Sequence, residues 1–190
     1  MDNNNAFIQT LKEIFQTALI SFGIFLFIYI FLVQPHRVQG VSMEPSFDNG
    51  ELLLTEKLSY RFTEPQRGDV VVFEAPVERK ADFIKRIIAI PGDSIKIENG
   101  EIFINGLKKE ETIINGPTLG NQLETLGKDE YWVLGDNRTA SSDSRSFGKI
   151  SKNSIRGKVW LVYWPIIKNS QSKGLRLISE VLGSHYRIPN

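Results

Sequence analysis

The sequence predicts a mostly β domain of antiparallel strands, a sandwich or partly closed barrel, behind one N-terminal transmembrane helix. Three observations carry that prediction. An uncharged apolar run of twenty residues extends from Ile14 to Val33. After it, short runs rich in Val, Ile, Leu and Phe recur between Gly and Pro residues, the pattern of an all-β domain. One of these runs carries an Asn-Gly pair between two stretches of alternating polarity, a strong hairpin signal. A length of 190 residues suits one such domain with an appendage.

Twenty helical residues rise about 30 Å, the hydrocarbon thickness of a bilayer. Pro35 stops the helix shortly after the run. A buried core helix is the first alternative, but one domain of this size can hardly surround a helix that is apolar on every face. A cleaved signal peptide is the second. The run is long for that purpose, and Gln34-Pro35-His36-Arg37 follows it where a small-x-small pair would be needed. The reading is therefore an uncleaved anchor: residues 1–13 an N-terminal cytoplasmic segment, 14–33 the span, 36–190 the soluble domain. Charge orients it poorly, with Asp2, Lys12 and Glu13 before the span and His36 and Arg37 after it.

In the soluble part, Glu51–Thr55, Asp69–Phe73 and Phe83–Ile90 read as strands. Ser94–Ile104 reads as a hairpin, with Ile95 and Ile97 facing Ile102 and Ile104 across a type I′ turn at Asn99-Gly100. A second Asn-Gly follows at Asn105-Gly106. Residues 107–128 are polar and contain glycine, a loop or loose hairpin. Tyr131–Leu134 and Lys158–Tyr163 are later strands, and Ser179–Leu182 a short helix or amphipathic tail. There is no repeat and no low-complexity tract.

The bulk numbers exclude several classes. Hydrophobic residues are 41% and charged residues 24%, ordinary globular usage. A formal net charge of +1 provides no field to recruit nucleic acid or acidic lipid. The absence of cysteine excludes disulfides, a cysteine nucleophile and thiolate metal sites. No His-Glu-x-x-His occurs, which argues against a zinc protease, and no Gly-x-Ser-x-Gly surrounds Ser42, which argues against an α/β-hydrolase. No metal and no cofactor is expected.

Three segments could carry chemistry. Ser42 stands in Gly40-Val41-Ser42-Met43-Glu44-Pro45-Ser46, close behind the apolar run. A serine hydroxyl is a weak nucleophile without a base. The two histidines, His36 and His185, lie in no motif. Lys85 lies in the apolar strand Phe83-Ile84-Lys85-Arg86-Ile87-Ile88, and burial there would depress its pKa from the usual ~10.4 toward a neutral, basic amine. The bland alternative, a strand lysine pointing to solvent, is the commoner fate of lysine. The third segment, Gly135-Asp136-Asn137-Arg138-Thr139-Ala140-Ser141-Ser142-Asp143-Ser144-Arg145, is dense in hydroxyls and opposite charges. It can brace a lysine; by itself it reads equally as a solvated loop.

Together these segments resemble the bacterial type I signal peptidase (leader peptidase) family. The resemblance covers roughly residues 18–164 and includes Arg67-Gly68-Asp69-Val70-Val71 and the Pro91-Gly92-Asp93 that closes the lysine strand. It implies a mostly antiparallel β fold, with Ser42 as nucleophile and Lys85 as general base. It further implies Ser141 as the serine that orients the lysine, Asp143 and Arg145 as a supporting ion pair, and Asp136 and Arg138 in the same loop. Val38, Met43, Phe47, Phe83 and Ile84 match positions lining shallow pockets for small side chains at substrate positions −1 and −3. Three residues depart from the pattern: Ser46 for threonine, Ala89 for glycine, and Gly40 where some members have an oxyanion-binding serine. Glycine at that position is shared by short Gram-positive forms, and the Ser42 backbone N–H is left as the oxyanion donor.

The implied function is a membrane-bound serine endopeptidase that removes signal peptides from exported preproteins. Its partners would be those preproteins and the lipid bilayer, with the secretion translocon as a further candidate, and no nucleic acid. Spacing agrees: the nine residues from Val33 to Ser42 span at most ~30 Å, which leashes the serine near the bilayer, where a signal peptide's cleavage site also lies. Preproteins are cut after translocation, so the domain is expected outside the cell membrane. Two rivals are a membrane-tethered β binding module that cuts nothing and a serine–lysine protease that cuts itself.

Overall fold

The computed structural model describes residues 2–78, 81–111, 113–167 and 174–178. The helix or tail expected at Ser179–Leu182 lies outside them, as does His185. The chain divides into two compact units, Met1–Gln34 and Pro35–Asn190.

The first unit is one helix, α1 (Asp2–Phe31). It begins well before the apolar run, so the short polar segment ahead of the run is helical too. Its stretch Phe7–Tyr29 has a mean hydropathy of 1.6 and buries nothing within the protein. Phe15, Leu19, Phe22 and Phe25 all stand exposed. The helix is long and apolar enough to cross a membrane. Helix does not persist to Val33 as the hydropathy suggested. Strand β1 (Val33–Arg37) starts there and contains Pro35. A proline, lacking an N–H, is tolerated in an edge strand, and β1 is terminal in its sheet.

The second unit holds two sheets. The larger has the order β1, β2 (Leu52–Glu56), β11 (Ile155–Trp164), β3 (Val70–Glu74), β4 (Asp82–Ala89), β9 (Glu130–Leu134), β10 (Ile150–Ser151), with β12 (Arg176–Leu177) also on β11. β11 runs antiparallel to β2, β3 and β12, and β4 antiparallel to β3 and β9. Single-turn helices α2 (Ser59–Phe62) and α3 (Ser144–Phe147) sit in the connections. The smaller sheet has the order β7 (Leu107–Lys108), β6 (Glu101–Ile104), β5 (Ser94–Glu98), β8 (Gln122–Thr125).

The hairpin forms as its sequence demands. Asn99 and Gly100 both take positive φ, 54° and 84°, and Ile97 faces Ile102 while Ile95 faces Ile104. Period-two alternation puts these four isoleucines on one face, packed with Ile88, Leu126, Trp132 and Leu134. Each such side chain contributes roughly 1.5–3 kcal/mol by leaving water. β8 falls inside the stretch expected to be loop; its Gln-Leu-Glu-Thr has only one apolar residue, and Leu123 is exposed. It is a strand because β5 offers it a free edge.

β3 is buried on both faces. Val70 and Val72 pack into a cluster with Val38, Met43, Phe47 and Leu53, while Val71 and Phe73 pack into another with Ile87, Tyr131 and Val133. The first of these clusters lies under the loop that carries Ser42.

Candidate active site

The loop from Val38 to Glu51 is closed at its base by the Val38 N–H on the Glu51 carbonyl at 2.8 Å and the Gly50 N–H on the Val38 carbonyl at 2.9 Å. Met43 and Phe47 drop from it into the core, 1% and 0% exposed, and hold Ser42 up at the surface. Gly40 has φ +87°, a conformation glycine adopts without strain, and its N–H donates to Asn49 Oδ1 at 2.9 Å. The glycine that departs from some relatives' serine thus has a backbone reason.

Lys85 reaches this loop from β4. Alternation sets Phe83, Lys85 and Ile87 on one face, and the Lys85 ammonium lies 5.4 Å from the Phe83 ring centroid. Lys85 Nζ is 2.7 Å from Ser42 Oγ and 2.9 Å from the Ile84 carbonyl. The residue is 3% exposed. Burial pushes its pKa down to about 8, against the opposing charges of Asp143 and Asp136.

The segment from Gly135 to Arg145 fastens the two together. Asn137 donates its N–H to the Ser42 carbonyl at 3.0 Å and its side-chain amide to the Val41 carbonyl at 3.2 Å. Gly135 lies so close that a Cβ there would meet the Ser42 carbonyl oxygen at 2.5 Å and overlap the Ser141 side chain. Asp143 is fully buried and accepts the Gly135 N–H at 3.1 Å and two bonds from Arg145, both 2.8 Å. Burial alone would raise its pKa, but the bonds from Arg145 and Gly135 win and hold it below the usual carboxylate range. Arg145 also donates to the Arg138 carbonyl at 2.7 Å.

Ser141, the serine expected to orient the lysine, is not hydrogen-bonded to Lys85 in this structure. Its Oγ is sealed from solvent and makes no hydrogen bond. Its side chain lies against Gly135, in the space a Cβ there would need.

Asp136 and Arg138 do not pair with each other. Asp136 takes a fork from Arg86, at 2.8 and 2.6 Å, with both side chains about 2% exposed or less. Arg86 also donates to the Gly68 carbonyl at 2.9 Å and to Ser46 Oγ at 3.3 Å. Arg138 instead meets Glu111, at 2.5 and 2.7 Å, and Thr118. Arg67 and Asp93 form a further fork that joins the turns before β3 and after β4. Sequence reasoning passed over Arg86. A second cation next to Lys85 in an apolar strand, pointing to the opposite face, was the signal for a buried anion.

A cleft of about 470 Å³ opens over Ser42 and Lys85. Val38, Phe83 and Ile84 line it, together with Leu53, Val72, Ser142 and Asp82. Met43 and Phe47 do not; they are core beneath it. His36 also lines the cleft, with Nε2 buried and unpaired. Burial lowers its pKa, against the opposing charge of Asp82. One edge of β4 borders the cleft's chemistry: β3 pairs with Asp82 through Arg86, but pairing with β9 begins only at Arg86.

Comparison with known proteins identifies the family. The profile of the family described as "Signal peptidase, peptidase S26" matches residues 11–164. Signal peptidase IB of Staphylococcus aureus is 32% identical over 165 residues, covering 77% of this chain and 85% of that protein. A probable signal peptidase I-2 of Synechocystis is 32% identical over 168 residues, covering 85% of this chain and 75% of that one. A crystal structure of a signal peptidase I from Enterococcus faecalis is 28% identical with a TM-score of 0.44, covering 50% of this chain and 97% of the other. With a profile that spans most of its length and relatives at about a third identity, the chain belongs to the signal peptidase family, peptidase S26, and is a peptidase of the class that removes signal peptides.

Proposed function

We propose that the chain is a membrane-anchored serine endopeptidase that cuts signal peptides from preproteins with Ser42 as nucleophile and Lys85 as general base. The observation that carries this is the 2.7 Å between Lys85 Nζ and Ser42 Oγ, at a lysine whose burial brings its pKa to about 8. Near neutral pH a useful fraction of such an amine is unprotonated and can accept the serine proton.

Neutral Lys85 takes the Ser42 proton as Ser42 Oγ attacks the scissile carbonyl carbon. Among the described residues the Ser42 backbone N–H has no acceptor, which leaves it free for the oxyanion. The tetrahedral intermediate expels the amine of the mature chain, protonated by Lys85. A water that gives its proton to Lys85 then attacks the ester, and the proton returns to Ser42 Oγ as the acid product leaves. The substrate lies extended along the open edge of β4 at Asp82–Lys85. Val38, Phe83 and Ile84 admit small side chains at −1 and −3 and exclude larger ones. The anchor keeps the site near the bilayer, with the catalytic unit on the extracytoplasmic side of the cell membrane.

The test is cleavage of a purified preprotein by the full chain in detergent. Wild type releases the mature N-terminus and Ser42→Ala does not. Lys85→Arg keeps the charge but stays protonated, and loses about 10²- to 10⁴-fold in turnover. The wild-type rate rises through an acid limb centred near pH 8, the value burial gives Lys85. Near-normal turnover by Lys85→Arg, or a profile without that limb, rules out the lysine base.

A further inference from the structure

Residues 174–178 lie beyond the stretch that matches the family, and no role attaches to them on sequence grounds. In the structure they return to the Ser42 loop. β12 pairs with β11, Arg176 opposite Val162 and Leu177 opposite Leu161. Ile178 packs in the core with Met43 and Phe47, beneath Ser42.

Arg176 is 8% exposed, and its guanidinium meets the loop at three points. Nη1 donates to Glu51 Oε1 and Nη2 to Glu51 Oε2, each at 2.7 Å, and Nη2 donates to the Ser46 carbonyl at 2.8 Å. The Phe47 ring centroid lies 5.6 Å from Cζ. Glu51, 2% exposed, accepts the Asp48 N–H on Oε2 at 3.1 Å, and its carbonyl closes the loop base with Val38.

A buried ion pair is a weak source of stability compared with apolar side chains of the same volume. What a guanidinium adds is a rigid planar fork that fixes several acceptors at once. Ser46 is thereby gripped twice: its Oγ by Arg86, the neighbour of Lys85 in β4, and its carbonyl by Arg176. The loop bearing the nucleophile is held from two sides, by Arg86 of the strand that bears the base and by Arg176 of β12.

We propose that Arg176 is a positioning residue for peptide cleavage, fixing the Ser42 loop through Glu51 and the Ser46 carbonyl so that Ser42 Oγ meets Lys85 Nζ. This rests on the Ser42–Lys85 reading above. The experiment uses the full chain in detergent, with Ser42→Ala alongside, at a temperature where tryptophan fluorescence shows each variant folded. Arg176→Lys keeps the charge but cannot span three acceptors. Its kcat is expected to fall about ten-fold or more from misplacement of the nucleophile, with KM within a factor of about two and the acid limb unmoved. The double variant Arg176→Met/Glu51→Leu strands no charge and keeps the fold, and decides the matter alone should Arg176→Lys fail to fold. Its kcat is expected to stay equally low. Full kcat in the folded double variant, with Ser42→Ala inactive, overturns the role of Arg176 and leaves the dyad standing. Cleavage that persists in Ser42→Ala overturns the dyad and the positioning role with it.

Discussion

At the scale of one residue, Lys85 is held where its charged form is disfavoured. Between pH 8 and 10.5 the unfolded chain still binds the lysine proton while the folded chain has lost it, so this group's contribution to stability rises with pH through that window. Below pH 8 the folded state carries a buried cation at a cost of up to ~3 kcal/mol. Lys85→Met should therefore gain relative to wild type at pH 7 and lose that gain by pH 10.5, a swing of up to ~3 kcal/mol. Urea denaturation of both proteins at the two pH values measures it. The same difference at both would mean that Lys85 titrates as an ordinary lysine. The residue scale is also where prediction from sequence worked unevenly. Ser42 and Lys85 stood out by chemical oddity, a serine near a membrane exit and an amine in a greasy strand, but a strand lysine more commonly points to solvent, and their roles came from the family resemblance. Ser141 and the pocket residues Met43 and Phe47 came from family positions alone, and a side chain's direction is set by its neighbours, which no position encodes.

At the scale of elements, the site depends on a close approach of two loops. Gly135 follows β9 directly and touches the Ser42 backbone, so an alanine methyl there has no flexible neighbour to displace on that side. Gly135→Ala is expected to cost ~1–3 kcal/mol of stability from overpacking. Its turnover should fall about 10²-fold, the scale of a 1 Å misplacement. Thermal melts and the preprotein assay check both; wild-type turnover would show that the loops can separate without penalty. Strands with a strong pattern were legible: β5 and β6 by alternation and their Asn-Gly turn, β3 by a continuous apolar run and β4 by apolar residues on either side of Lys85-Arg86. β1, β8, β10 and β12 were not, because short polar strands owe their state to an available partner edge and not to their own composition.

At the scale of the whole molecule, an exposed apolar helix and a β-sheet unit with a buried charged network share one chain. Phe15, Leu19, Phe22 and Phe25 of the helix stand exposed, and a bilayer is a solvent that suits them. In sequence, the β-sheet unit follows that helix within a few residues. In cells expressing the full chain, external protease should digest the Pro35–Asn190 unit of intact spheroplasts while an N-terminal tag survives. Protection of that unit until the membrane is opened would place it inside and remove preproteins emerging from export as its substrates.

The sequence by itself determined what local pattern can encode: a helix too apolar for water, an antiparallel β domain, a tight hairpin, and the two residues proposed to carry the chemistry. The tertiary structure alone decided which charges meet. Arg86 found Asp136, Arg138 found Glu111 and Arg176 found Glu51 across 50, 27 and 125 positions of chain. A buried ion must be paired wherever the fold brings an opposite charge, and that meeting is fixed by how strands order in a sheet, which is a property of the packed whole.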